Sequence, residues 1–266
     1  ILQQINQLTH YEPVIGIMGK SGAGKSSLCN ALFASEVSPV SDVAACTREP
    51  LRFRLQVGDR YITLMDLPGV GESGARDTEY AALYREQLPR LDLVLWLIKA
   101  DDRALSVDER FYREVIGTHR HKVLFVVNQV DKLEPCQQWN ATSGSPSSQQ
   151  KINLSLKLSD IRQLFTPSHP LRAVSARTGW GLGSLVETMM RSLPARASSP
   201  LSAQLHDKLR SEPVKSQARD RFGEAAGEVV DAVASLPFVP EPVKSLILSV
   251  RDMVVSTVRA VWDFFF

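Results

Sequence analysis

The 266-residue chain is 44% hydrophobic and 23% charged, with a formal net charge of +2. Such an apolar share rules out wholesale disorder, and the near-neutral balance argues against a protein built chiefly to neutralise a phosphate backbone. The length suits one large domain, or a medium domain with a smaller appendage.

Three cysteines, Cys29, Cys46 and Cys136, show no CxxC spacing. They point to a reducing compartment and to neither a disulfide framework nor a zinc site. Residues 1–10 read as a short amphipathic helix without the basic stretch and cleavage site of a signal peptide. A first residue other than Met suggests a fragment of a longer product. With no uncharged apolar run of about 18 residues, a membrane-spanning helix is not expected.

In chain order, residues 13–18 read as a buried strand, followed by a Gly/Ser loop and a helix over 25–34. Two apolar runs, 51–57 and 61–65, flank Gly58-Asp59, a hairpin signal. Further strands are predicted at 91–98, 123–127 and 171–174, with helices at 77–88, 106–117, 151–165 and 183–193. Strand–helix alternation predicts an α/β fold, a mostly parallel sheet with one antiparallel edge strand and helices on both faces. The Ser/Gln-rich segment 137–150 lacks periodicity and reads as a mobile loop, and 195–200 reads as a linker. Residues 201–266 are helix-like, with breaks around Pro213 and at 237–242.

Gly19-Lys20-Ser21-Gly22-Ala23-Gly24-Lys25-Ser26 fits G-x-x-x-x-G-K-[ST] between a predicted strand and a predicted helix. Glycines let successive backbone N–H groups turn inward, so that residues 19–27, Ser27 included, can cradle α- and β-phosphates at a helix N-terminus. Lys25 carries charge to the β- and γ-phosphates, and the Ser26 hydroxyl is placed to ligate Mg²⁺.

Asp66-Leu67-Pro68-Gly69 ends a strand. An aspartate there can hold a magnesium-bound water, and the Gly69 N–H can meet the γ-phosphate. Asn128-Gln129-Val130-Asp131 follows another strand. A carboxylate at Asp131 can accept from guanine N1–H and the 2-amino group, whereas adenine offers neither donor. Ser175-Ala176, followed by Arg177, ends the last strand, where a backbone N–H can donate to guanine O6. All four motifs fall at the C-terminal ends of successive strands, where an α/β sheet binds ligands.

With these motifs, residues 13–193 resemble the translation-factor class of P-loop GTPases, in particular its Era-like group and the prophage-type YfjP/YkfA/YeeP proteins within it. The resemblance implies a G domain over 1–195 with a helical C-terminal extension over 196–266. It also makes Thr47, the one threonine of segment 35–50, the second Mg²⁺ ligand with its N–H near the γ-phosphate; Ser38 and Ser41 are the alternatives. Lys25, Thr47 and Gly69 would then act on the γ-phosphate.

Several positions depart from the relatives. Val70 stands where Ras-like switches carry a water-orienting glutamine, a role valine cannot fill. Glu72, Arg76 and Asp77 are the substitutes within the segment, and slow intrinsic turnover with stimulation by a partner is expected. Gly22 replaces the asparagine of potassium-activated relatives. Gln129 replaces the usual lysine and can cover the base without its charge.

Residues 196–266 carry nine Lys/Arg and nine Asp/Glu and show no KH-type GxxG loop, so no RNA-binding domain is expected. Residues 243–266 form a helical pattern with one wide apolar face. Gly223 and Gly227 on an upstream helix permit close helix contact. Three readings compete: packing against the chain itself, self-association or partner binding, and peripheral contact with a membrane as in dynamin-like GTPases. The expected function is a cytoplasmic Mg²⁺-dependent GTPase switch. The alternatives are an interaction module that binds GTP without hydrolysing it and a membrane-associated GTPase.

Overall fold

The computed structural model describes residues 2–34, 38–39, 50–70 and 74–266. Thr47, Ser41 and Glu72 lie outside them. A helix α1 (Leu2–Thr9) precedes strand β1 (Val14–Gly19), which runs into the phosphate loop and α2 (Lys25–Leu32). Then follow β2 (Ser38–Pro39), the hairpin β3 (Leu51–Val57) and β4 (Arg60–Leu67), α3 (Gly74–Gln87) and β5 (Leu93–Lys99). The sheet domain continues through α4 (Ser106–Phe111), β6 (Val123–Asn128), α5 (Ser148–Phe165), β7 (Arg172–Ala173) and α6 (Leu182–Ser192).

The described strands form one seven-stranded sheet in the order β2-β3-β4-β1-β5-β6-β7. Both pairings of β3 are antiparallel and all the others are parallel. This is the expected sheet, with the antiparallel strand one place in from the edge. β5 and β6 are buried almost throughout, as central parallel strands with both faces covered must be. Side chains alternate between two cores: Leu93, Leu95 and Leu97 point into one, Val94, Trp96 and Ile98 into the other. In the second core Trp96 meets Phe125, Tyr112 and Phe165 at centroid distances of 5.2, 5.8 and 6.0 Å.

Three elements differ from the sequence reading. Helix 106–117 begins as α4 but tightens and widens into a π turn over 112–116 and a 3₁₀ turn over 117–122. Segment 137–150 is not structureless. Asn140 and Ser145 pair their backbones, and Ser147 caps α5 through a reciprocal box with Gln150, which starts the helix three residues early. The supposed linker is a helix, α7 (Ala195–Gln204), whose alanines and serines are buried. Composition alone misled: small residues allow flexible chain, and they equally allow helices to approach closely.

α8 (Glu212–Ala234) follows, with Pro213 in its first turn, where the missing N–H costs nothing. The pattern over 243–266 breaks at Val250 and Val261 into α9 (Glu241–Ser249), α10 (Arg251–Ala260) and α11 (Trp262–Phe265). α10 lies against α8, where Gly227 faces Arg251 and Val255, and Gly223 faces Arg259. The apolar face is split: Val258 and Trp262 enter the first core, while Val243, Leu246, Leu248 and Met253 stay exposed. Trp262 Nε1 donates to Ser199 Oγ on α7 at 2.8 Å, and Arg60 Nη2 of the sheet donates to the Phe265 carbonyl. Of the three readings of this region, packing onto the chain itself is the arrangement observed.

Candidate functional site

β1 leaves the middle of the sheet between β4 and β5 and hands the chain to the phosphate loop. Gly22 and Gly24 take left-handed φ values of 76° and 86°, the latter at the N-cap of α2. An L side chain is strained in that region, so this turn toward the helix N-terminus requires glycine. The Lys25 ammonium donates to the Gly19 carbonyl at 2.9 Å and lies 3.8 Å from Asp66 Oδ1, an ion-pair distance too long for a hydrogen bond.

Asp66 Oδ1 is buried with no hydrogen-bond partner. Burial raises its carboxyl above the ordinary value, against the opposing pull of Lys25. Asp66, Lys25 and Ser26 share a cavity of about 240 Å³ with Phe53, Leu64 and Cys29. Burial and the nearby Asp66 charge push the Cys29 thiol up to about 12, which leaves it inert. A half-buried carboxylate with one buried oxygen lacking a donor, lining the same cavity as a serine, is a hard-oxygen set that suits Mg²⁺ held through water and phosphate.

Gly69 comes within van der Waals contact of the loop it faces: a Cβ there would lie 2.6 Å from the Gly19 carbonyl oxygen and 2.8 Å from Lys20 Cα. Glycine is required at this crossing. Tyr84 of α3, fully buried, donates its hydroxyl to the Pro68 carbonyl at 3.0 Å and fixes the segment from beneath.

The residues expected to face the base converge at the ends of β6 and β7. Asn128 bridges two loops: its Nδ2 donates to the Ala23 carbonyl at 2.9 Å and its Oδ1 accepts from the Ala176 N–H at 3.2 Å. Asp131, only 4% exposed, accepts from Ser175 Oγ at 2.6 Å on one oxygen. Its other oxygen takes Arg177 Nε and Nη2 at 2.9 and 2.8 Å. Ser175 Oγ also accepts the Thr178 N–H at 3.2 Å. Hydrogen bonds that span up to 107 residues of the chain join these motifs into one surface.

A family profile described as "50S ribosome-binding GTPase" matches residues 14–129. The chain is 66% identical to YkfA and 64% identical to YfjP, both of Escherichia coli (strain K12), over its whole length and 92% of theirs. A solved structure of Era with MgGDPNP and a 16S ribosomal RNA segment aligns with TM-score 0.50 and 25% identity, covering 70% of this chain and 58% of Era. The chain belongs to the family of YkfA and YfjP, and its G domain is related to those of the Era-type P-loop GTPases. YkfA and YfjP are close homologues, and the chain spans little more than half the length of Era.

Two further positions of this GTP-binding G domain have their own partners. Gln129, at φ 64°, donates its amide to the Gly22 carbonyl at 2.7 Å and so ties its loop to the phosphate loop. Val70 does not face the phosphate site at all. It is buried in the second core with Met18, Met65 and Tyr84.

Lys20 went unnoticed in the sequence. Its ammonium lies 3.1 Å from Asp102 and 2.9 Å from Asp108, and it also donates to the Ala104 carbonyl. Burial alone would lower the Lys20 ammonium, but hydrogen bonds and charge from Asp108 and Asp102 leave it raised. Asp108 itself is raised by burial in spite of Lys20. No motif could flag this cluster, because its partners are separated by 82 residues.

Proposed function

We propose that the chain binds Mg·GTP and hydrolyses it slowly to GDP and phosphate, acting as a nucleotide-dependent switch. The observation that carries this reading is the Asn128 bridge. One amide side chain ties the phosphate loop at Ala23 to the base-facing loop at Ala176, beside the buried Asp131 carboxylate. Phosphate grip and guanine choice therefore share one rigid frame.

In this reading the loop N–H groups of residues 19–27 and the Lys25 ammonium stabilise charge on the phosphates. Ser26, Asp66 and Thr47 would hold the magnesium, Asp66 through a water, and the ion would supply Lewis-acid stabilisation of the transferring phosphoryl group. Gly69 offers its N–H to the γ-phosphate. Guanine N1–H and N2–H₂ replace Arg177 on the Asp131 carboxylate, whose geometry Ser175 sets, while the Ala176 N–H serves O6. Turnover is slow because the residue after Gly69 is packed in the core and orients no water. Residues 1–195 form the G domain of this scheme and 196–266 its helical extension. The setting is cytoplasmic; no described helix is long and apolar enough to cross a membrane.

Calorimetry with GTP and ATP on the whole chain tests the proposal. GTP is expected to associate at least ~100-fold more tightly in the presence of Mg²⁺, and Lys25→Ala to abolish turnover. Equal affinity for the two nucleotides overturns it. Tight GTP binding without any Lys25-dependent phosphate release leaves only the interaction-module reading.

A further inference from the structure

A large cavity among the described residues lies away from the phosphate site. It is a groove of about 950 Å³ between segment 100–106, which follows β5, and helix α5. Its floor is apolar, formed by the buried Leu105 and Leu133. Its far wall carries Leu156 and Leu164, which are 62% and 37% exposed. α5 has two stripes at helical spacing. Leu154, Leu158, Ile161 and Phe165 enter the second core, while Asn153, Leu156, Lys157, Asp160 and Leu164 line the groove. A helix that needs only to cover its own sheet has no use for the second stripe.

The groove's charge is one-sided. Five carboxylates line it against two cations, Arg103 and Lys157, on a chain whose formal charge is +2. Asp101, Glu134 and Asp160 make no ion pair within 4 Å among the described residues, and Lys157, the one cation whose charge reaches Asp101 and Asp160, donates to the Asp102 carbonyl. Leucines with unmatched carboxylates around them are the complement of a cationic amphipathic helix.

We infer that this groove is the docking site for a cationic, leucine-bearing helix of a partner protein. Two or three apolar side chains of that helix sit on Leu156, Leu164 and Leu105, and its lysines or arginines meet Asp101, Glu134 and Asp160. Such an occupant is in position to sense the nucleotide site. Asp102 on the groove wall grips Lys20 of the phosphate loop through its carboxylate and holds Lys157 of α5 through its carbonyl. The docking goes beyond the GTPase reading and stands without it.

Fluorescence anisotropy on the full chain provides the test, with a labelled two-heptad Leu/Lys amphipathic peptide as the probe and its Leu/Glu counterpart as control. Micromolar binding of the Leu/Lys peptide only is expected at physiological salt. Leu156→Glu and Asp160→Lys, both at exposed positions that the fold does not need, are each expected to weaken it at least ~10-fold. Leu246→Glu, in the exposed apolar patch of α9, is expected to leave it unchanged. The inference is overturned if the peptide does not bind, if the groove variants bind it as well as the parent, or if Leu246→Glu weakens it equally. It is also overturned if sedimentation shows a dimer that Leu156→Glu dissociates, since the occupant would then be a second copy of the chain. A faster or slower release of a fluorescent GDP analogue upon peptide binding would extend the inference to coupling through Asp102; unchanged release would confine it to docking.

Discussion

The C-terminal edge of the sheet and the helical region α8–α11 are held together in opposite ways. At the sheet edge the loops are pinned by polar bonds between residues far apart in sequence: Asn128 to Ala23 and Ala176, Ser175 and Arg177 to Asp131, Lys20 to Asp102 and Asp108. Removing Asn128 or the Ser175 hydroxyl strands a buried polar atom, so these contacts depend on the identity of the side chain. The helical region is held chiefly by apolar area, with Val258 and Trp262 entering the core from one side of a face that elsewhere remains exposed, and by half-exposed ion pairs such as Arg251–Asp231 and Arg219–Asp263. There, size and position matter more than chemistry. Specific function concentrates where bonds are specific; stability comes from both.

Two substitutions break this comparison if it is wrong. Trp262 is buried and its indole N–H is satisfied by Ser199. Trp262→Ala is expected to cost about 3–5 kcal/mol in chemical denaturation, while selectivity for GTP over ATP stays unchanged. A loss of selectivity would show that the helical region shapes the nucleotide site. Conversely, Asp131→Asn exchanges a double acceptor for an acceptor and a donor, which suits the 2-oxo edge of xanthine better than the 2-amino edge of guanine. GTP affinity is expected to fall by roughly 100-fold with a compensating gain for XTP. Calorimetry with the two nucleotides reads both changes at once.

The same contrast explains what the sequence disclosed. Motif residues carry their own signature because the chemistry fixes their type and spacing, so the phosphate loop, Asp66-Leu67-Pro68-Gly69 and Asn128–Asp131 could be read with their strands. The central strands were equally plain, since β5 and β6 are apolar on both faces. What stayed hidden was pairing at a distance. Nothing local marks Lys20 as the partner of Asp102 and Asp108, Tyr84 as the prop beneath Pro68, or Gln129 as a donor to Gly22. The helical region showed its amphipathic period but not its bends at Val250 and Val261, which arise without proline or glycine. Residues 195–200 were misread because small side chains serve both linkers and tightly packed helices.

Smaller effects sharpen the picture at the sheet edge. Tyr84→Phe removes one buried hydrogen bond and leaves the Pro68 carbonyl without its donor, at a cost of about 1–1.5 kcal/mol in urea unfolding. Because that carbonyl sits next to Gly69, GTP turnover should fall along with stability. An unchanged turnover would assign Tyr84 to the core alone.

Asp66 yields the subtlest test because its two roles oppose each other. Burial raises its carboxyl in the folded chain above the ordinary aspartate value of about 3.9. The folded state therefore holds this proton more tightly than the unfolded one, and the group's contribution to stability is lost as pH rises through the raised value. Asp66→Asn cannot ionise. Without nucleotide and Mg²⁺, the variant should melt at the same temperature as the parent near pH 4 and above it at pH 7.5, the gap opening across the window between the two values. Adding Mg·GTP at pH 7.5 should reverse the order, since only the carboxylate can hold the metal's water. A variant less stable than the parent at pH 7.5 without ligand would mean that Lys25 compensates Asp66 fully.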